Sequence, residues 1–272
     1  IQKLYPLVVT IHHPITKDFT LEMENASNWK ERLSSRRWHS FLPMQKRIAP
    51  KLQKIICVSE PSKLDTVTEF SVNPENIDVI LNGIDIETFK LDTSVSVIKN
   101  RIVTTASADI PLKGLRFLIN ALPRVISDFP DTHLVVIGKS PNESKIRKLI
   151  ADLGLKERIS FESNLSEEEI VSIYHKSQIA VIPSLYEGFG FGAGEAMACG
   201  VPLISTHSGG LKQVIGDSAL KIESGSVKEI EESIIKLFNE EETRTELSRK
   251  GRERMEEYFD WKIAAKAYID LF

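Results

Sequence analysis

The stretch that decides the reading of this chain runs from Ser184 to Pro202, SLYEGFGFGAGEAMACGVP. An apolar run precedes it, Ile179-Ala180-Val181-Ile182, which predicts a buried strand that Pro183 and Ser184 end. A loop with three glycines follows (Gly188, Gly190, Gly192), and then a short helix is predicted over 193–199. Gly200 stops that helix and Pro202 forbids its return. Strand, glycine loop and helix N-terminus together make an anion site, because unpaired backbone N–H groups and the helix dipole point at whatever lies in front of them. Two carboxylates frame the loop, Glu187 at its mouth and Glu195 on the helix. A carboxylate beside a phosphate site is costly unless something there needs an acceptor, and sugar hydroxyls are such a need.

Around this stretch the second part of the chain alternates. Strands are expected at 101–105, 133–137, 158–161, 179–182, 203–205 and 219–222. Helices are expected at 114–127, 142–153, 167–175, 193–199, 211–215 and 227–239, with two amphipathic helices near 243–258 and 260–272. Six strands alternating with helices predict a parallel, doubly wound α/β sheet. Ser166-Glu167-Glu168-Glu169 reads as a capping box with acids in the first turn, hence a helix start and not a metal site.

The first part has the same flavour. Leu7 to Ile11 predicts a strand ending at His12-His13-Pro14, Lys54 to Val58 a second, and Asn76 to Leu81 a third. Ser59 is placed to cap a helix with Pro61 in its first turn. Asn82-Gly83 signals a turn. Periodicity is lost over residues 86–100, so the domain boundary is expected there: a first domain over 1–98, a second over 99–258, and a last helix, 259–272, packing back toward the first. Between the first two strands lies an irregular-to-helical segment. From Lys30 to Lys54 it holds eight basic residues against one acid, Glu31. That is +7 in a chain of net −3, which leaves −10 for the remainder. Trp29, Trp38 and Phe41 are interleaved. Such a segment suits an anionic membrane surface or a phosphorylated acceptor, or else is a solvated basic face.

The chain has 272 residues, 42% hydrophobic and 27% charged, enough for one large or two medium domains. The negative balance gives no case for nucleic acid as a partner. No apolar run approaches the roughly 20 residues of a membrane span. Cys57 and Cys199 fall in predicted elements and read as buried free thiols of a reducing cytoplasm. The opening on Ile1, almost at once into a strand and with no signal-peptide pattern, suggests a fragment.

Chemistry converges on the second sheet. Pro111-Leu112-Lys113-Gly114 opens the helix after its first strand, where a lysine can reach a phosphate. Val135-Val136-Ile137-Gly138-Lys139 runs a strand into a Gly-Lys loop. Together with the glycine loop these lie at carboxyl ends of strands in one sheet, where open α/β folds keep their ligands. The ligand that fits is a nucleoside diphosphate, its phosphates on amides and lysine, its ribose diol on a carboxylate. His12 and His13 sit at a similar strand end in the first domain, either near the ligand or as loop residues without a task.

These residues resemble the family 4 retaining glycosyltransferases of the two-Rossmann-domain GT-B architecture. The likeness runs from residue 7 to nearly the end. It is strongest in PSLYEGFGFGAGEAMACGVPLI, with the family's Glu-x7-Glu spacing, and is supported by SEEEIVSIYHKSQIAVIPS, VILNGID and the Lys-Gly pair. The resemblance implies that Glu195 holds the ribose hydroxyls and that Glu187 faces the donor sugar near the reacting carbon. It implies that amides of Phe189-Gly190-Phe191, with Gly188, hold phosphate or sugar, that Lys113 serves the diphosphate, and that His12 meets donor sugar and acceptor. Catalytic roles thus fall to Glu187, His12 and Lys113. Gly138, Lys139 and Asn164 join the nucleotide-sugar contacts, Asn164 from Phe161-Glu162-Ser163-Asn164 near where the base would lie.

Three departures stand out. Phe161-Glu162-Ser163-Asn164 replaces the family's more usual Phe-x-Gly. The family's arginine five residues before the lysine is Ala108 here, with Lys139 a candidate substitute. The family's first domain also begins earlier, with a glycine loop this chain lacks. The expectation is a retaining, metal-independent transfer from a nucleotide-diphosphate sugar to a sugar, lipid-linked or small-molecule acceptor. No metal and no cofactor are implied, and the expected place is the cytoplasm, peripheral on the inner face of the membrane. The rival readings are a GT-B sugar-nucleotide epimerase and a non-catalytic nucleotide-sugar binder. The chain as given is expected to bind nucleotide, dissolve poorly and not turn over.

Overall fold

Two parallel sheets carry the chain. The computed structural model describes residues 7–26, 28–107, 110–139 and 145–271. The first sheet has strands β1 (Val9–Ile11), β2 (Ile55–Cys57) and β3 (Ile77–Val79) in that order. The second has β4 (Ile98–Thr105), β5 (His133–Ile137), β6 (Ile159–Glu162), β7 (Ser177–Ile182), β8 (Leu203–Thr206) and β9 (Leu220–Ile222), ordered β6-β5-β4-β7-β8-β9. Every pairing is parallel.

The second sheet is buried on both faces, which is why its strands read as continuous apolar runs. Alternation along them splits two cores. Ile102, Ile179, Val181 and Ile204 point to one, filled by helices α5 (Leu115–Asp128) and α10 (Val227–Asn239). Val103, Ala180, Ile182 and Leu203 point to the other, filled by α8 (Phe191–Ala198), α9 (Leu211–Ile215) and the end of α11 (Glu241–Tyr258). Each such fully buried Val, Leu or Ile contributes about 1.5–3 kcal/mol over an exposed one. The order of strands reverses between β4 and β7, so the carboxyl ends of these two open a crevice.

Three helices lie between β1 and β2: α1 (Thr16–Asn25), then α2 (Trp29–Trp38) and α3 (Leu42–Ile48), which carry the basic segment. Helix α4 (Glu60–Phe70) starts where Ser59 accepts from the Ser62 amide. The capping box at Ser166 is complete and starts α7 (Glu167–His175). Helix α6 (Lys145–Asp152) and α12 (Trp261–Ile269) finish the set. The expected start of α6, residue 142, lies outside the described residues.

One expectation fails locally. Asn82 and Gly83 form no turn. The chain stays extended there because Trp261 packs on it: a Cβ at Gly83 would lie 2.4 Å from the Trp261 Cα. The turn comes later, at residues 86–88, where Asp85 accepts from the amides of Glu87 and Thr88 and from the Thr88 hydroxyl. Those bonds hold the Asp85 carboxyl below its ordinary range. Both cysteines are buried and free, and no described helix is long and apolar enough to cross a membrane.

Candidate active site

The crevice at the β4/β7 reversal is a cavity of about 390 Å³. From the second sheet it is lined by Thr105, Ala106 and Ser107 after β4, Ile137 at the end of β5, Lys113, and the run Glu187 to Gly192 with Glu195. From the first sheet come His12 and His13, which follow β1.

Lys113 ends a 3₁₀ turn, Pro111–Lys113, and Gly114 then turns the chain into α5 at φ 66°. Its ammonium lies 2.7 Å from Glu187 Oε1. Ser184 donates to the same oxygen at 2.9 Å. Glu187 is 14% exposed and Lys113 32%, so the pair sits in a wall with one side open to the cavity.

Helix α8 begins at Phe191, earlier than the sequence suggests, with Gly190 (φ 111°) as its N-cap and no side chain capping it. Its first amides therefore face the cavity as donors without a side-chain partner. The helix end comes this close to β4 only because residue 192 is glycine, since a Cβ there would lie 1.9 Å from Thr105 Oγ1.

Glu195 projects from the second turn of α8. Burial pushes its carboxyl above the ordinary value of 4.5, against a hydrogen bond from the Tyr174 hydroxyl at 3.1 Å that pulls it down. The two carboxylates thus differ, Glu187 neutralised by a lysine and Glu195 desolvated beside a phenol.

Of the residues singled out from the sequence, His12, Lys113, Glu187, Gly188, Phe189, Gly190, Phe191 and Glu195 meet at this cavity. Phe189 is buried, its ring against those of Phe191 and Phe259, whereas Phe191 is 46% exposed. Gly138, Lys139 and Asn164 do not line it. Gly138 serves a close approach instead, with a Cβ there falling 2.2 Å from the Ala106 carbonyl oxygen. Lys139 is exposed, and Asn164 is exposed at φ 58° beyond the edge strand β6. Ala108 lies outside the described residues.

Sequence reasoning did not single out Thr105, Ala106, Ser107 or Tyr174. The first three require the strand order, and Tyr174 reads as an ordinary core residue. His13 belongs to the cavity as well as His12. Its Nε2 is 2.8 Å from Asp18 Oδ2, and its ring meets Tyr186 edge-on at 5.8 Å. Tyr186 in turn donates to Asp65 of α4. Among the described residues no three His, Cys, Asp or Glu side chains group as a metal site.

A family model described as Glycosyl transferases group 1 matches residues 90–254, and one described as Glycosyltransferase Family 4 matches residues 2–88. The chain belongs to the group 1 glycosyl transferases. The MMP alpha-(1->4)-mannosyltransferase of Mycolicibacterium hassiacum is 35% identical over 271 residues, which cover 98% of this chain and 65% of that protein. A GDP-mannose-dependent monoacylated alpha-(1-6)-phosphatidylinositol monomannoside mannosyltransferase of Corynebacterium glutamicum is 28% identical over 178 residues, 62% of this chain and 46% of that one.

Among solved structures, HepE of Anabaena in complex with UDP and glucose has a TM-score of 0.80 at 21% identity, covering 98% of this chain and 72% of its own. Sucrose-phosphate synthase of Thermosynechococcus elongatus has a TM-score of 0.78 at 22% identity, covering 97% and 67%. These likenesses make the two sheets those of a GT-B fold. This group 1 glycosyl transferase spans less than two thirds of the length of either mannosyltransferase, 65% of one and 46% of the other.

Proposed function

We propose that this chain belongs to a retaining glycosyltransferase that takes a hexosyl group from a nucleotide-diphosphate sugar, without a bound metal, and gives it to an acceptor hydroxyl. The observation that carries the reading is the convergence of Lys113, the uncapped N-terminus of α8, Glu187 and Glu195 on one cavity at the strand reversal. In this reading the anomeric C–O bond breaks and its electron pair goes to the diphosphate, where Lys113 and the amides of residues 190–192 stabilise the charge. Lys113 exchanges its Glu187 partner for phosphate as the donor binds. Glu187 then faces the sugar as positive charge develops on it, and His12 sits where sugar and acceptor meet. The acceptor hydroxyl attacks from the face the diphosphate leaves and gives its proton to a leaving phosphate oxygen. Glu195 takes the ribose hydroxyls.

The names of the two mannosyltransferases above make GDP-mannose the donor to try first. The basic helices of residues 30–54 are the surface proposed to rest on an anionic membrane, which would make the protein peripheral there.

Calorimetric titration with UDP, GDP and ADP tests the donor site. One of them should bind, and Glu195→Ala should weaken it by about 1.5–3 kcal/mol, the range for hydrogen bonds to a charged group. Unchanged affinity in the folded variant would overturn the assignment. Product analysis with GDP-mannose and candidate acceptors separates transfer from epimerisation or from binding alone. Any transfer should persist in EDTA, and strict dependence on Mg²⁺ or Mn²⁺ would remove the metal-independent part.

A further inference from the structure

Glu195 can serve a ribose only if its carboxylate is held toward the cavity. Half-buried on α8, it has one hydrogen-bonding side chain against it, Tyr174 from the last turn of α7. Tyr174 is 1% exposed and its ring is fixed edge-on against Phe89, with centroids 6.4 Å apart. Its hydroxyl lies 3.1 Å from Glu195 Oε2 and 3.3 Å from the Gly192 carbonyl oxygen, and its one proton is shared between them. One buried phenol therefore ties the carboxylate to the first turn of the helix whose N-terminus faces the phosphates. Burial and the neighbouring carboxylate push the phenol well above its ordinary range, so it keeps its proton and donates it. With Oε2 engaged, Oε1 is left for a ligand. In a site built for a charged acceptor, an unheld carboxylate would lose rotamer freedom on every binding event.

We propose that Tyr174 is the positioning residue that sets Glu195 for the ribose hydroxyls, so that selectivity for a ribonucleotide over its 2′,3′-dideoxy analogue depends on the Tyr174 hydroxyl. The inference rests on the donor-site reading above. It differs from a packing role in what it moves: a packing defect weakens every nucleotide, whereas a lost positioning bond weakens only those with ribose hydroxyls.

The test uses the whole chain and whichever of UDP, GDP or ADP binds tightest, titrated beside its 2′,3′-dideoxy form. The wild-type protein should prefer the ribonucleotide by about 10-fold or more. Tyr174→Phe keeps the ring and should cut that preference by about 3- to 10-fold. Affinity for the dideoxy form should stay within two-fold, which also shows that the variant is folded. In a Glu195→Ala background the same change should alter neither affinity. Full preference retained in Tyr174→Phe overturns the proposal, and so does an equal loss for both nucleotides. A wild-type protein with no ribose preference, or one whose preference survives Glu195→Ala, brings down the donor-site reading itself and the proposal with it.

Discussion

At the scale of the residue, Glu195, the carboxylate proposed for the ribose, weighs on the fold. Its burial raises the pKa, so the folded protein holds the proton more tightly than the unfolded chain does. That contribution to stability is full below the ordinary value of 4.5 and is lost as pH rises through the raised one. At neutral pH the charged carboxylate is a net cost, and glutamine, which still accepts from Tyr174, removes it. Glu195→Gln should therefore melt above wild type at pH 7, by roughly 2–4 °C for each 1 kcal/mol of relief. The difference should fade as pH falls through the raised value toward 4.5, while nucleotide affinity at pH 7 drops. A variant that melts lower at pH 7 than wild type would show that the charge is not a burden on the fold. That Glu195 reaches the cavity was legible in the sequence, because it lies on the helix that follows a glycine loop at a strand end. Tyr174 was not, because its partnership with Glu195 exists only once α7 and α8 are packed.

At the scale of the element, strand–helix alternation gave up the second sheet almost entire, and α7, α9 and α10 begin and end where caps and periodicity place them. Gly138, Lys139 and Asn164 lie away from the cavity for a reason of tertiary order. Asn164 follows β6 at the sheet edge, Gly138 and Lys139 follow β5 one strand in from it, and strand order is a tertiary property. The basic segment is legible as charge and resolves in space into α2 and α3, of which α2 is two-faced. Ser35 marks the buried face of α2. Trp29 and Leu33, four apart, share the opposite face and are 68% and 59% exposed. Lys30 and Arg37 flank them on one side, Arg32 and Arg36 on the other. Apolar residues in a frame of arginine and lysine suit a lipid interface with anionic headgroups better than a soluble anion, which has no use for the apolar stripe. The protein should float with vesicles of mixed phosphatidylcholine and phosphatidylglycerol, stay behind with phosphatidylcholine alone, and be released by salt. Arg36→Glu with Arg37→Glu should reduce partitioning by about 10-fold or more at roughly 1 kcal/mol per basic residue. Equal flotation on neutral and anionic vesicles would leave α2 as a solvated face.

At the scale of the whole molecule, the two sheets share a seam that runs directly behind the cavity. Ser59, the cap of α4, donates to the Gly188 carbonyl at 2.9 Å. Val58, Ile84 and Phe89 join the same core as Ala193, Met197, Met255 and Phe259. The chain then crosses back. Ile84 pairs in parallel with Asp260, its amide donating to the Phe259 carbonyl at 2.6 Å and its carbonyl accepting from the Trp261 amide at 3.1 Å. Helix α12 leaves from that point toward the first sheet, where Tyr268 comes within 3.3 Å of Thr10 Oγ1. Gly83 is the tight spot of this crossing: any side chain there meets Trp261 backbone, which cannot yield as a flexible side chain would. Gly83→Ala should force Trp261 and the start of α12 away from Ile84, at about 1–3 kcal/mol, the usual cost of overpacking. Urea unfolding would show it as a lower midpoint. Nucleotide affinity should hold within about two-fold, since Lys113, Glu187 and Glu195 are mounted on the second sheet and touch neither Gly83 nor Trp261. An unchanged midpoint would mean that the crossing is loosely held and that α12 does not fasten the two sheets. A midpoint that falls together with nucleotide affinity would mean that the seam, and not the second sheet alone, shapes the donor side of the cavity.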